Sequence, residues 1–196
     1  MRYLIVCGGK IDKEFGLNEI KTDGIDAIIA ADSGMDFLYE NGVTPDIIVG
    51  DFDSATTKAL EFFERKGQTE IHRLNPIKDD TDTEYAIRLA IREGARSIVL
   101  LGATGSRIDH VLGNISLLGI GLESGTDISI IDTNNRIRMA DKPVTIEKSA
   151  QYGRFVSLIA LTDDNEVSLK GFKYPVTDYS FDRFTSLGIS NEIIDR

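Results

Sequence analysis

The segment Ile47-Ile48-Val49-Gly50-Asp51-Phe52-Asp53-Ser54 restricts the fold of this chain more than any other stretch. Its three leading apolar residues are all β-branched and read as a short buried strand. The run stops at Gly50, two carboxylates follow one residue apart, and Ser54 is suited to cap a helix. Strand, glycine, paired acids and helix start is the layout in which an α/β sheet presents ligands at the carboxyl ends of its strands. Two close carboxylates repel each other unless something positive sits between them, and a hard divalent cation held by oxygen ligands is the simplest solution. Taken alone, the segment fits a surface turn with solvated acids better than it fits a site. Phe52 is expected to point into the core, leaving Asp51 and Asp53 on the same side of the chain.

The rest of the chain supplies the context. Tyr3–Cys7, Ala27–Ala31 and Ile98–Leu101 are further short apolar runs that read as strands, and Ile71–Leu74 and Ile128–Ile131 read as short strands with polar residues among them. Helical patterns separate them. Residues 10–25 are weakly helical, and a short helix runs to Glu40 with Asn41-Gly42 as its stop signal. Residues 55–66 place Ala59, Phe62 and Phe63 on one face. Thr81-Asp82-Thr83-Glu84 is a capping box, opening a helix with Ala86, Ile87, Ala90 and Ile91 inward and a Glu84–Arg88 pair outside. A stronger stripe follows in Ile108, Val111, Leu112, Ile115, Leu118 and Leu122, with Arg107, His110 and Asn114 on another face. After Thr133 the alternation stops, and Val144–Ile146, Phe155–Ala160 and Val167–Leu169 are strand candidates without helices between them. The expected fold is α/β: a parallel doubly wound sheet with helices on both faces over residues 1–133, then a smaller all-β, sandwich-like domain over 134–196.

Composition narrows the partners. With 22 Lys plus Arg against 32 Asp plus Glu, the formal net charge is -10. That argues against a nucleic-acid binder, but a polyphosphate ligand stays compatible if metal ions mediate the contact. The single Cys7 cannot form an internal disulfide and is expected in the core. Strand-like sequence begins at once, with no secretory signal pattern, and no run reaches the roughly 18 apolar residues of a membrane span. A cytoplasmic protein without membrane contact is the expectation.

The chemistry gathers by position. Asp32, Asp51 with Asp53, the Asp79–Asp82 cluster and Gly102–Asp109 each follow an expected strand, and in a parallel sheet these ends share one edge. Each has a plain reading of its own. Asp32 or Ser33 caps a helix, Asp82 complements a helix dipole, Gly102 and Gly105 permit a turn, and His110 and His72 sit on the surface. Together, at least five carboxylates on one edge would repel unless cations sit among them. A glycine-rich turn opening a helix offers N–H groups to phosphate. Neither the Walker A pattern nor the G-x-G-x-x-G fingerprint occurs. The residues alone point to a Mg²⁺-dependent site for a phosphorylated ligand, a nucleotide by preference.

Ala30-Ala31-Asp32-Ser33-Gly34, Gly50-Asp51-Phe52-Asp53-Ser54, Lys78-Asp79-Asp80-Thr81-Asp82-Thr83-Glu84 and Gly102-Ala103-Thr104-Gly105-Ser106-Arg107-Ile108-Asp109-His110, with Asn114 beyond, resemble the thiamine pyrophosphokinase family in content, order and spacing. Ser190-Asn191-Glu192 resembles the segment that closes the thiamine site in that family. Ser106 stands where bacterial members usually have a second glycine, and Tyr174 where some place a Trp against thiamine. The resemblance implies transfer of a diphosphoryl group from ATP to the hydroxyl of thiamine, giving thiamine diphosphate and AMP. It implies Asp51, Asp53, Asp79 and Asp82 as Mg²⁺ ligands, with Asp51, Asp53, Asp82 and Arg107 as the catalytic set. Asp32, Ser33, Gly34, Gly102, Thr104, Gly105, Arg107, Asp109 and His110 would bind ATP; Lys78, Tyr174, Ser190 and Asn191 would bind thiamine. It also implies a homodimer with thiamine held between one subunit's α/β domain and the partner's β domain.

Two other readings use the same residues. A strand followed by Asp-x-Asp-Ser also resembles the nucleophile motif of haloacid-dehalogenase-type phosphatases, in which the first Asp becomes an aspartyl phosphate. Here, however, the motif is not on the first strand and Gly50 intervenes. A non-enzymatic nucleotide sensor would bind ATP at this edge without forming AMP.

Overall fold

The computed structural model describes residues 1–52, 57–75 and 80–194. Two compact units divide the chain, Met1–Asp141 and Lys142–Arg196.

The first unit is built on a seven-stranded sheet: β1 (Arg2–Val6), β2 (Ala27–Ala31), β3 (Ile47–Gly50), β4 (Glu70–Arg73), β5 (Ser97–Leu101), β6 (Asp127–Ile131) and β7 (Arg136–Arg138). Their spatial order is β4-β3-β2-β1-β5-β6-β7. The first six are parallel and β7 is antiparallel. The helices are α1 (Lys13–Ile20), α2 (Gly34–Glu40), α3 (Thr57–Lys66), α4 (Asp82–Arg92), α5 (Ile108–Leu117) and α6 (Gly119–Ser124).

Strand residues alternate between two cores. Ile5, Ile29, Val49, Ile98, Leu100 and Ile130 pack with Ala86, Ile87 and Ala90 of α4 and with Leu118. Leu4, Val6, Ala30, Ile48 and Leu101 pack with Met35 and Leu38 of α2 and with Ala59 and Phe63 of α3. Burial on both faces explains why these strands read as continuous apolar runs rather than alternating ones. Each fully buried Leu or Ile contributes roughly 1.5–3 kcal/mol of transfer free energy. Burial also pushes the Cys7 thiol up to about 11, as suits a core residue that accepts a hydrogen bond from the Thr83 hydroxyl at 3.7 Å.

The connections run from β1 outward to β4, then return across the sheet to β5. The direction of winding therefore reverses between β1 and β5, and a crevice forms outside the carboxyl ends at such a switch.

Several details differ from the sequence reading. The expected boundary near residue 133 falls in the turn after β6, and β7 still pairs with β6. The long apolar stripe is split at Leu118 into α5 and α6. Ile108 and Leu112 are 67% and 59% exposed, and packing on the core starts only at Ile115. Periodicity identifies an apolar face but not what covers it. Phe62 is likewise outside, its ring tilted against that of Tyr39 with centroids 5.2 Å apart. Phe52 does pack against the core beside Gly50, as expected; Asp53 lies outside the described residues.

In the second unit, β8 (Asn165–Leu169) and β9 (Val176–Phe181) form an antiparallel pair, and bridges join Val156 to Asn191 and Phe172 to Ile193. Val144–Ile146 carries no strand, contrary to expectation, and both Val144 and Ile146 are exposed. Two apolar residues flanking Thr145 are too short a signal to decide between strand and surface loop. β9 had no alternating apolar signal, since Thr177, Asp178, Tyr179 and Ser180 are all exposed.

Candidate active site

β2 and β3 are neighbours, with Ala31 opposite Val49. The residues that follow them therefore leave the sheet side by side. The Asp32 N–H donates to the Val49 carbonyl at 2.8 Å, which fixes the start of the Asp32-Ser33-Gly34 turn. The next strand in this direction, β4, leads into α4, which opens at Asp82. Thr81 caps that helix by accepting from the Glu84 N–H at 3.2 Å. Only this half of the capping box forms, because the Glu84 carboxylate turns along the helix to Arg88 at 2.7 Å.

These three segments bring one carboxylate oxygen each from Asp32, Asp51 and Asp82 within 4.8 Å of one another, and all three residues are half-buried. Three anionic oxygens converging from separate segments match the donor set of a hard divalent cation. The backbone around them is strained. Asp32 has φ 48° and Phe52 φ 63°, a region that costs non-glycine residues roughly 1–2 kcal/mol and that clusters at functional sites.

Next to this cluster, the loops after β1, β2 and β5 approach closely. A Cβ on Gly8 would sit 2.1 Å from Ser33 Oγ, and one on Gly9 would sit 2.3 Å from the Gly102 carbonyl and 2.8 Å from that of Thr104. The Gly9 N–H donates to the Gly102 carbonyl at 2.9 Å. The Gly102–Gly105 turn is held from two further sides. Asn114 Nδ2 donates to the Ala103 carbonyl at 2.7 Å, and the Thr104 hydroxyl donates to Asp132 Oδ2 at 2.8 Å. Burial of Asp132 acts against its charge, but hydrogen bonds from the Asn134 N–H, the Asn135 side chain and Thr104 outweigh it and hold the carboxyl below its ordinary range.

Arg107 opens α5, and its guanidinium pairs with Asp109 at 2.7 Å. The hydrogen bond from Arg107 is the largest influence on Asp109, whose carboxyl is lowered to about 2. Both side chains face solvent, as does His110. A cation already matched to a carboxylate presents a smaller net charge to phosphate than Arg107 alone suggested.

The remaining predicted residues lie in the second unit. Asn191 is 7% exposed. Its Oδ1 accepts from the Tyr174 N–H at 3.1 Å and the Glu192 N–H at 2.9 Å, and its Nδ2 donates to the Tyr174 carbonyl at 2.8 Å. Its backbone exchanges hydrogen bonds with Val156 at 2.9 and 3.0 Å. The Tyr174 ring is 62% exposed. Ser190 has φ 61°, and its N–H donates to Ser157 Oγ at 3.0 Å. Glu192 accepts from Arg154 and Lys173, both at 3.0 Å.

Asp53, Lys78 and Asp79, also expected at the site, lie outside the described residues. Asp32, expected only to approach the nucleotide, joins the carboxylate cluster; its signal was its place directly after β2. Asp132 was not anticipated, since its signal is a partner 28 residues away.

The thiamin pyrophosphokinase catalytic-domain model matches residues 21–130, and the vitamin B1 binding-domain model of the same enzymes matches residues 143–196. The chain belongs to the thiamin pyrophosphokinase family. Thiamine pyrophosphokinase of Bacillus subtilis (strain 168) is 36% identical over 168 residues, or 85% of this chain and 78% of the relative. The crystal structure of thiamine pyrophosphokinase from Bacillus subtilis superimposes with a TM-score of 0.87 at 33% identity, over 100% of this chain and 91% of that one. The crystal structure from Geobacillus thermodenitrificans gives 0.81 at 30% identity, over 100% and 89%. Like them, this thiamin pyrophosphokinase family member is an enzyme.

Proposed function

We propose that this enzyme transfers the diphosphoryl group of ATP to the hydroxyl of thiamine, yielding thiamine diphosphate and AMP, and that it requires Mg²⁺. The observation that carries this reading is the Asp32–Asp51–Asp82 cluster beside a glycine-rich turn, in a chain matched by both the catalytic and the vitamin B1 binding models. Asp32, Asp51 and Asp82 hold the metal, joined by Asp53 and Asp79 on the sequence pattern. Bound Mg²⁺ would neutralise the phosphate oxygens, which lets so acidic a protein hold ATP. Ser33, Gly34, Gly102, Thr104 and Gly105 face the phosphates with backbone N–H groups and hydroxyls, and Arg107 and His110 add donors at the start of α5. Phosphoryl chemistry of this kind rests mainly on positioning and charge neutralisation, so Asp51, Asp53, Asp82 and Arg107 need not include a nucleophile.

Thiamine contacts fall to Lys78, Tyr174 and Ser190. Asn191 acts through Tyr174: its amide is committed to the backbone of residues 174 and 192, so it sets where the exposed ring stands. The enzyme works as a homodimer in the cytoplasm. Support for the dimer comes from exposed apolar side chains of the second unit, among them Ile159 at 71% and Phe184 at 87%.

The test is to incubate the protein with ATP, Mg²⁺ and thiamine and to resolve the products by chromatography. Thiamine diphosphate and AMP in equal amounts support the reading. ADP with thiamine monophosphate, or free phosphate with a trapped aspartyl phosphate, would sink it.

A further inference from the structure

The sheet face beside α1 carries a cleft of about 290 Å³ over β5, β6 and β7, with Ser97, Val99, Ser129 and Ile131 in its lining. Arg2, Arg136 and Arg138 also line it. We propose that this cleft binds the phosphate group of a small organic phosphate ester, as a site separate from the catalytic edge.

Strand register puts this lining on one face. Arg2 stands opposite Ser97, and Ser97 opposite Asp127. Val99 stands opposite Ser129, Ser129 opposite Arg138, and Ile131 opposite Arg136. Residues paired across strands share a face of the sheet, so the three arginines and two serines project to the same side. Val99 and Ile131 belong to the apolar cluster that Met35 and Leu38 of α2 and Phe63 of α3 share. Over β5 to β7, among the described residues, the one helical contribution to the lining is Glu19 of α1. Arg2, Ser97 and Asp127 stand at the amino ends of β1, β5 and β6, whereas Asp32 and Asp51 follow the carboxyl ends of β2 and β3. The two groups therefore lie toward opposite edges of the parallel sheet.

Three observations point to an anion. First, donors converge here without acceptors. Among the described residues, the Arg2 guanidinium and the Ser97 and Ser129 hydroxyls make no hydrogen bond within the protein; the Arg2 backbone N–H alone is used, donating to Asp26 Oδ2 at 2.7 Å. Second, three arginines face two carboxylates, Glu19 and Asp127, and Asp127 is already paired with Arg138 at 2.7 Å. The local excess is positive in a chain whose net charge is -10, and such an excess concentrates anions. Third, guanidinium forks and hydroxyls suit a phosphate, whose oxygens accept several bonds at once. Val99 and Ile131, 6% and 2% exposed, supply apolar floor for an organic body. The volume lies just under the roughly 300–1,000 Å³ of drug-sized ligand sites, which limits that body to a small one. Glu19 opposes the anion from the helical side, so its removal strengthens binding.

The experiment titrates inorganic phosphate, and separately phenyl phosphate, into the ¹⁵N-labelled full chain without Mg²⁺ and follows amide shifts by NMR. Sodium chloride holds the ionic strength constant, because exposed charges are screened by salt. The amides of Ser97, Ser129 and Arg138 are expected to shift on binding. Arg2→Gln keeps the backbone bond to Asp26 and should weaken phosphate at least fivefold. Glu19→Gln should tighten it about twofold or more, a change of opposite sign that loss of packing would not produce. Phenyl phosphate should bind at least threefold more tightly than inorganic phosphate, and thiamine diphosphate formation in Arg2→Gln should match the unaltered enzyme. Shifts confined to residues 32–34 and 102–107, or unchanged affinity in both variants, overturn the site. A response that chloride reproduces means an adventitious ion only and also overturns it. Equal affinity for the two probes overturns the ester assignment, and loss of thiamine diphosphate formation in a folded Arg2→Gln overturns the separation from the catalytic edge. The binding readout does not depend on turnover, so failure of the diphosphoryl-transfer reading is seen separately.

Discussion

Asp32→Asn tests the carboxylate cluster at the residue that the structure adds to it. Asparagine is isosteric and tolerates the left-handed φ of 48° at this position, and the backbone bond from residue 32 to Val49 is retained. The change therefore removes charge and little else. Asp32 repels Asp51 and Asp82, each within 4.8 Å. At an effective dielectric constant of about 20, one such pair costs roughly 3.5 kcal/mol. All three groups are partly exposed and screened by salt, which reduces the relief from removing both repulsions to about 1–2 kcal/mol. For a protein of this size, 1 kcal/mol corresponds to about 2–4 °C. Without metal, Asp32→Asn should melt about 2–8 °C above the unaltered protein by scanning calorimetry. Adding Mg²⁺ in large excess over its dissociation constant should stabilise the unaltered protein by about 3 kcal/mol through mass action, and the variant by less than half of that. Turnover should fall by at least about a hundredfold, in line with the loss of an electrostatic catalytic contact. A variant that melts no higher without metal, yet gains as much from Mg²⁺ as the unaltered protein, refutes the metal role of the cluster.

Three other predictions follow from separate features. Gly9→Ala sets a methyl group 2.3 Å from the Gly102 carbonyl; backbone must move, so urea unfolding should show a loss of about 1–3 kcal/mol, accompanied by a higher KM for ATP. In Asn191→Ala, the Tyr174 N–H, the Tyr174 carbonyl and the Glu192 N–H lose their partner, at about 1–3 kcal/mol for each group left buried and unsatisfied; steady-state kinetics should show the thiamine KM rising tenfold or more with the ATP KM unchanged, and equal rises would contradict the positioning role. The Asp109 carboxyl should titrate by NMR with a midpoint of about 2 and return toward 3.8 in Arg107→Gln. Because the folded value is depressed, the pair's contribution is fully present above about pH 4 and is lost as pH falls toward 2, so activity changes above pH 5 should not trace to Asp109.

The sequence itself determined the layered α/β core. Apolar runs such as Ile47–Val49 and Ile98–Leu101 alternate with helical periods, and a strand buried on both faces cannot hide that signature. The chemical edge followed from the same local rules, because the acids and glycines stand directly after those runs. The Thr81 cap and the Glu84–Arg88 pair were legible because both span no more than four residues.

What lay beyond the sequence depended on distance along the chain. Asp32 joins Asp51 and Asp82 only because β2, β3 and β4 are laid side by side, an ordering that local propensity does not encode. The exposure of Ile108 and Leu112 likewise depends on where α5 meets the sheet, not on its period. Asp132 meets Thr104, and Asn191 meets Tyr174, across separations of 28 and 17 residues. A hydrogen bond between distant segments leaves no period or spacing in the sequence; the order of the strands brings its partners together.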